Sequence, residues 1–239
     1  MVRHFIIIAS SFCMKKRIAL DYAYNKESKQ DIAKALKEIK QGCGEDVQIS
    51  THSIVAVSKE WEAVVESDPF FEEILVLDST EQFIMFANQN KELTGNEIGE
   101  YLLSKVECDH LKLQKLVYLC FAEYLCKSNK VLFKKKIYAF RNGPVVEDVY
   151  QKYKNSGANL LNHKECNYQM ALESRILNSE DGLEKLRVIN SVIDEYAHLA
   201  SSKLVNITHE ENSPWKLVYD GSAFKEIPVD VIRDKHCCI

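Results

Sequence analysis

Leu111-Lys112-Leu113-Gln114-Lys115-Leu116-Val117-Tyr118 and, further on, Phe140-Arg141-Asn142-Gly143-Pro144-Val145-Val146 are the two stretches from which the fold of this chain is read. In the first, Asp109 stands where a helix N-cap belongs. Leu113, Leu116, Val117, Cys120 and Phe121 then recur at helical spacing, so the pattern predicts a helix with one apolar stripe. Leu113, Leu116 and Tyr118 are expected in the core. Gln114 and Lys115 lie off the stripe, open to solvent or to a partner. In the second stretch, Ile137-Tyr138-Ala139-Phe140 reads as a short strand whose two aromatics are expected in the core. Gly143, preceding proline, must be extended or take φ > 0, and Pro144 suits a first helical turn. The pair predicts a switch from strand to helix, with Val145, Val149, Tyr150 and Tyr153 carrying the helix on.

Working outward, Thr94 and Glu97 form a capping box before a helix with Ile98, Leu102 and Leu103 on one face. Val131-Leu132-Phe133 reads as a strand after a polar turn at Ser128-Asn129. Leu183 to Leu199 is an amphipathic helix with Leu186, Ile189, Ile193 and Tyr196 inside. Ser213 caps a helix that has Pro214 at its first position. Residues 93–239 are thus mainly helical. Residues 1–92 read as a small α/β unit, with a strand at Arg17–Tyr22 and a helix through Ile32, Ala35, Leu36 and Ile39 that Gly42 ends. Strands follow at Val47–Ser50 and Ile54–Val57, then a helix through Trp61, Val64 and Val65. A last strand at Ile74–Leu77 precedes a helix capped by Ser79 and Gln82. The polar stretch Asn88–Glu92 marks the boundary, and the fold class is α+β. Residues 1–13, with the run Phe5–Ala9, are either an extra strand or an upstream addition before a start at Met14. Lys15-Lys16-Arg17 and the lack of a small-residue cleavage site argue against a signal peptide.

The 239 residues are 46% hydrophobic and 28% charged, enough to bury a core, which excludes wholesale disorder. The formal net charge of −4 argues against a dedicated nucleic-acid binder. The acidity is local: residues 1–92 hold 11 Lys/Arg against 15 Asp/Glu, whereas residues 93–239 hold 20 of each. No apolar run approaches the ~18 to 20 residues that a spanning helix needs, so no membrane partner is expected. The eight cysteines contain no C-x-x-C pair, which leaves no zinc ribbon or finger. Cys120 and Cys126 are read as small buried hydrophobes, Cys237-Cys238-Ile239 misses the prenylation pattern, and a reducing cytoplasm is expected.

The two opening stretches, with Thr208-His209 and Pro214-Trp215 after them, resemble the Panacea domain, also called the SocA-like antitoxin domain or the phage-associated GepA type. Leu113 to Tyr118 match its helix motif, and Asn142 to Val145 its Gly-Pro turn. Thr208 to Trp215 match its late segment, and Ile227 to Ile232 look like its last short helix. The resemblance spans about residues 93–235. Arg141-Asn142 stands where the family commonly has an aromatic. It implies a mostly helical domain with a small β element, in an antitoxin that neutralises a cognate protein toxin by direct contact. A protease to which the toxin is handed is the second partner it suggests, and autoregulatory DNA binding the third reading, which the charge balance disfavours. The N-terminal unit is expected to add partner specificity.

The candidates for partner contact are Gln114, Lys115, Lys134, Lys136, Arg141, Tyr150 and Trp215, the last weighed against a place in the core. Leu113, Leu116, Tyr118, Gly143, Pro144, Val145, Thr208, His209 and Pro214 are expected to be structural. Lys127, Lys130, Lys134, Lys135, Lys136 and Arg141 form a basic run without an acid, either a solvated face or a surface for an acidic partner. No catalytic set, metal or cofactor is expected. His209-Glu210-Glu211 lacks a second His at helical spacing, and Glu195 with His198 lacks the further inward acids of a bundle metal site. His163 is weighed with His198 and His209 beside these acids and adds no catalytic set, and His52 is read as structural.

Overall fold

The computed structural model describes residues 1–239 except 13, 25–27, 45–46, 162–165, 223 and 237–239, and the side chains of 166–167. The sequence-stretch alternatives that fall on His163, Cys13, Cys237 and Cys238 lie outside the described residues. The chain divides into two compact units, Met1–Lys91 and Glu92–Ile239, each with its own core.

The first unit is built on β1 (Val2–Ser11), β2 (Lys16–Tyr24), α1 (Ser28–Cys43), β3 (Ser50–Ala56), α2 (Trp61–Ser67), β4 (Leu75–Val76) and α3 (Thr80–Gln89). The sheet order is β3-β1-β2-β4, antiparallel except for the β2–β4 pair. Val2–Ser11 therefore supplies the strand that pairs on both sides. Ile7 and Ala9 pack with Ile39 of α1 and Phe83 of α3, while Ile6 and Ile8 pack on the other face with Val64 of α2 and Phe71. A strand buried on both faces reads as a continuous apolar run rather than an alternation, which is why Phe5–Ala9 mimics a leader segment.

Three local expectations for this unit are corrected. Val47–Ile49 is not a strand, and β3 begins at Ser50. Gly42 lies within α1, where a Cβ would come within 2.8 Å of Ile84, so it permits α1 and α3 to approach; Gly44, at φ +86°, is the residue past the helix end. Ser79 does cap α3 by accepting from the Gln82 N–H at 3.3 Å, but the Gln82 side chain accepts from Asp78 instead of closing the box. The sequence reading missed a buried polar pair here. His4 is fully buried, with Nδ1 2.9 Å from Asp21 Oδ2 and Nε2 3.0 Å from the Ser58 carbonyl. The Ser58 carbonyl accepts from Nε2, and the second ring nitrogen faces the Asp21 carboxyl, so both nitrogens are engaged. Burial raises the Asp21 carboxyl above its ordinary value, and its bond to His4 offsets only part of this.

The second unit runs α4 (Gly95–Lys105), α5 (His110–Ser128), β5 (Ile137–Phe140), β6 (Gly143–Val146), α6 (Glu147–Tyr153), α7 (Cys166–Leu177), α8 (Gly182–Tyr196), α9 (Ser201–Thr208), α10 (Pro214–Val218), β7 (Lys225–Glu226) and α11 (Val229–His236). The Thr94–Glu97 capping box forms, with Thr94 Oγ1 accepting from Glu97 N at 3.2 Å and Glu97 accepting from Thr94 N at 2.7 Å. Asp109 caps α5 by accepting from Lys112 N at 2.7 Å, and Ser213 caps α10. Helix α5 is the axis of the unit: α4, α8, α9, α11 and β6 pack around it, and every residue from Leu113 to Ala122 is buried. An axial helix has no solvent side, which is why one apolar stripe understates its burial.

Val131–Phe133 is not a strand. Leu132 and Phe133 are apolar because they enter the core, and only a single bridge links Phe133 to Leu93. Pro144 and Val145 belong to β6, and α6 starts at Glu147, so the strand-to-helix switch falls later than the Gly-Pro pair suggests. Helix α8 stops at Tyr196, leaving His198 beyond its end, and Glu195 and His198 are both exposed. Cys120 is fully buried, but Cys126 is only half-buried, towards the end of α5. Among the described residues no helix is long and apolar enough to cross a membrane.

A chain begun at Met14 lacks β1, and with it the partner of both β2 and β3. We expect the Met1–Lys91 unit to lose protease resistance and its strand signal in circular dichroism, while the Glu92–Ile239 unit, which has a separate core, keeps its helical signal.

Candidate functional site

The site is built where the opening motifs meet. Strand β6 has β5 on one side, with Ala139 opposite Pro144 and Ile137 opposite Val146. On its other side it has side chains of α5 in place of a strand. Gln114 Oε1 accepts from Val146 N at 2.8 Å, and its amide nitrogen lies 3.5 Å from the Val146 carbonyl. Lys115 Nζ donates to the Pro144 carbonyl at 2.9 Å. Buried backbone groups must be paired, and here one helix turn does the work of a neighbouring strand. Gln114 and Lys115 are 1% and 0% exposed, so neither is available as a surface contact. Burial pulls the Lys115 amine down from 10.5 to about 7.

Gly143 fits this joint for two reasons. Its φ is +105°, a region that side chains disfavour, and a Cβ would come within 2.7 Å of Lys115 Cε and 3.0 Å of Thr208 Oγ1. Thr208 closes the far side: it is buried, donates to Val205 and accepts at its carbonyl from Ser213 Oγ at 3.0 Å. His209 stacks on Trp215 at 3.5 Å between ring centroids, almost parallel, and Tyr219 stacks on Trp215 at 4.8 Å. Burial first, and then the Lys115 charge, lower His209 to about 4. Trp215 is 6% exposed and donates from Nε1 to the Phe140 carbonyl at 2.7 Å, which makes it a core plug that pins the end of β5. Leu113, Leu116, Tyr118, Val145 and Pro214 are buried about this joint.

What the joint holds in place is the outward face of β5. Ile137 and Ala139 point inward, and Tyr138 and Phe140 point outward and are half-buried, a correction to the core placement their pattern suggests. Phe224 lies across them, 4.9 Å from Phe140 and 5.9 Å from Tyr138 in edge-on geometry, and Tyr150 of α6 packs 5.2 Å from Phe140. Phe224 is 59% exposed and sits at φ +65°, left-handed backbone that a bulky residue occupies at a cost of about 1–3 kcal/mol. Exposed residue, aromatic ring and strained backbone coincide at one place. The reading from sequence gave no signal for Phe224, because its role depends on backbone geometry.

The basic run is largely neutralised by acids from elsewhere in the chain. Lys127 pairs with Glu123 at 3.2 Å, Lys130 with Asp181 at 2.6 Å, Lys136 with Glu226 at 2.8 Å, and Lys134 with Glu92. Lys135 and Arg141 are exposed and have no partner among the described residues. These two cations flank β5 in the sequence, and Tyr150 is the sequence candidate whose ring the fold packs on the aromatic face. Lys134 and Lys136 are exposed but paired. Among the described residues no group of three or more His, Cys, Asp or Glu could hold a metal ion.

Two substitutions test the joint. Gly143→Ala is expected to destabilise the Glu92–Ile239 unit by about 1–3 kcal/mol, measured by denaturant unfolding. The folded chain holds the Lys115 amine near 7, whereas the unfolded chain keeps it protonated to about 10.5. The folded state therefore carries the full burial penalty below pH 7, and it is relieved as pH rises towards 10.5. Stability rises through that window by at most about 1.4 kcal/mol per pH unit. Lys115→Met removes this slope, so its stability relative to the parent chain falls steadily between pH 7 and pH 10.

Residues 113–216 match the family model described as Antitoxin SocA-like, Panacea domain. The matched span is shorter than the 93–235 expected from the motifs; it opens at Leu113 of the helix motif and closes just past Trp215, the residues that form the joint. No curated protein and no solved structure matches the chain significantly. Residues 113–216 thus match an antitoxin SocA-like Panacea domain, and an N-terminal unit that lies outside the matched span precedes them in the sequence.

Proposed function

We propose that this chain is a non-catalytic antitoxin that neutralises a protein toxin by one-to-one binding, with the outward face of β5 as its contact surface. The antitoxin-type role in general is what the domain supports. The observation that carries the finer reading is the clustering of four aromatic rings, Tyr138, Phe140, Tyr150 and Phe224, about a strand flanked in sequence by Lys135 and Arg141, two exposed cations that no acid among the described residues neutralises. Tyr and Arg are enriched among the few residues that dominate binding energy, and an aromatic held rigidly loses little entropy on binding. The unpaired cations fit a toxin surface with acidic groups around an apolar anchor, and their charges speed encounter more than they add affinity.

Titration of purified toxin with this chain is expected to reach full neutralisation at an equimolar ratio, with excess toxin active. Complete neutralisation well below equimolar would overturn occlusion in favour of an enzymatic or adaptor role. Phe224→Ala and Tyr138→Ala are each expected to raise the Kd by about 10- to 100-fold. Arg141→Glu slows association and flattens its salt dependence, read by stopped-flow mixing. Lys136→Ala, whose ammonium is already paired, changes the Kd less than about threefold.

A further inference from the structure

The sheet edges of this protein differ in how they are protected. Strands β4 and β7 are two residues long, and β6 is covered along its outer side by Gln114 and Lys115. Short or covered edges offer no template for a further strand. Strand β3, Ser50–Ala56, is seven residues long, pairs only with β1 among the described residues and ends the sheet. It contains no Lys, Arg, Asp, Glu or Pro. Its neighbours Phe5 and Ile7 on β1 share a face with Ser53 and Thr51, and α1 and α3 pack on that face over β1 and β2. They do not reach β3, where Thr51, Ser53 and Val55 are all exposed. Among the described residues, both the hydrogen-bonding edge and the last column of one sheet face are therefore uncovered.

We propose that β3 pairs with β3 of a second copy of this chain, antiparallel about a two-fold axis at Ser53, joining the two sheets into one. A two-fold perpendicular to the sheet keeps each face on its own side, so paired residues must share a face. Centred on Ser53, it sets Thr51 against Val55 of the second copy, His52 against Ile54 and Ser50 against Ala56. Hydroxyl and β-branched partners of this kind favour cross-strand contact. The paired segment carries no carboxylate, ammonium or guanidinium, so two identical edges meet without like charges opposed. A symmetric pair satisfies both edges at once, which removes the exposed template from each copy.

The test uses the full chain in analytical ultracentrifugation from about 1 μM to 1 mM. The parent chain is expected to shift from 27.5 kDa to twice that mass. Thr51→Lys with Val55→Lys places Lys opposite Lys twice across the axis and is expected to raise the dissociation constant at least about tenfold. Thr51→Glu with Val55→Lys places Glu opposite Lys twice in the same register and restores the dimer. Positions 51 and 55 are exposed, and unchanged circular dichroism confirms that each variant folds. A parent chain that stays monomeric throughout overturns the proposal, as does a double-Lys variant that dimerises as well as the parent. A monomer whose β3 variants lose toxin binding would instead assign the edge to a strand of that partner.

Discussion

A buried ammonium next to a backbone carbonyl is a demanding thing to build a domain around, because an amine in an apolar interior must be hydrogen-bonded or lose its proton. Lys115 meets that demand with the Pro144 carbonyl, and Gln114 beside it engages Val146. Much else in the second unit follows. Strand β6 can end its sheet without a further strand because α5 supplies the missing partners. Residue 143 has no side chain because the lysine stem already occupies that space. Thr208 and Trp215 converge from far along the chain because the joint needs a wall, and β5 needs a pin at Phe140.

The elements that announced themselves in the sequence are those whose signals are local. Thr94, Asp109 and Ser213 each satisfy free N–H groups within a turn of themselves, so their caps could be read directly and formed where expected. Periodicity located α5 and β5 but misjudged their surroundings. Gln114 and Lys115 look like surface residues, and only the packing of β6 against α5 shows that they replace a strand. Tyr138 and Phe140 look like core, and only the single-sided cover of the small sheet shows that they face outward. The charge run failed for a similar reason: Glu92, Asp181 and Glu226 come from distant elements, and a linear reading counts only the lysines.

In the first unit the same contrast separates β1 from the helices around it. Its apolar run was visible, but the reason for it, burial on both faces, is a property of the assembled sheet. His4 and Asp21 were invisible, since neither is remarkable alone; the register of β1 and β2 puts them on one face two rungs apart. Residues 1–92 carry the net negative charge of the chain, and the sheet of the first unit has one long edge strand and one short one. A span that matches an antitoxin-type domain is thus coupled, in the same polypeptide, to a module with a core of its own.

The order in which the joint is assembled has a consequence for synthesis on the ribosome. Helix α5 emerges early, but Thr208, Trp215, Phe224 and β7 leave the exit tunnel only after most of the second unit has been made. Until then β5 has neither its pin nor its third strand, and the aromatic face does not exist in finished form. A nascent chain would hold the motif helix before its joint is closed, so the aromatic face is completed abruptly, once residues 208–226 have emerged, rather than building up as the chain grows.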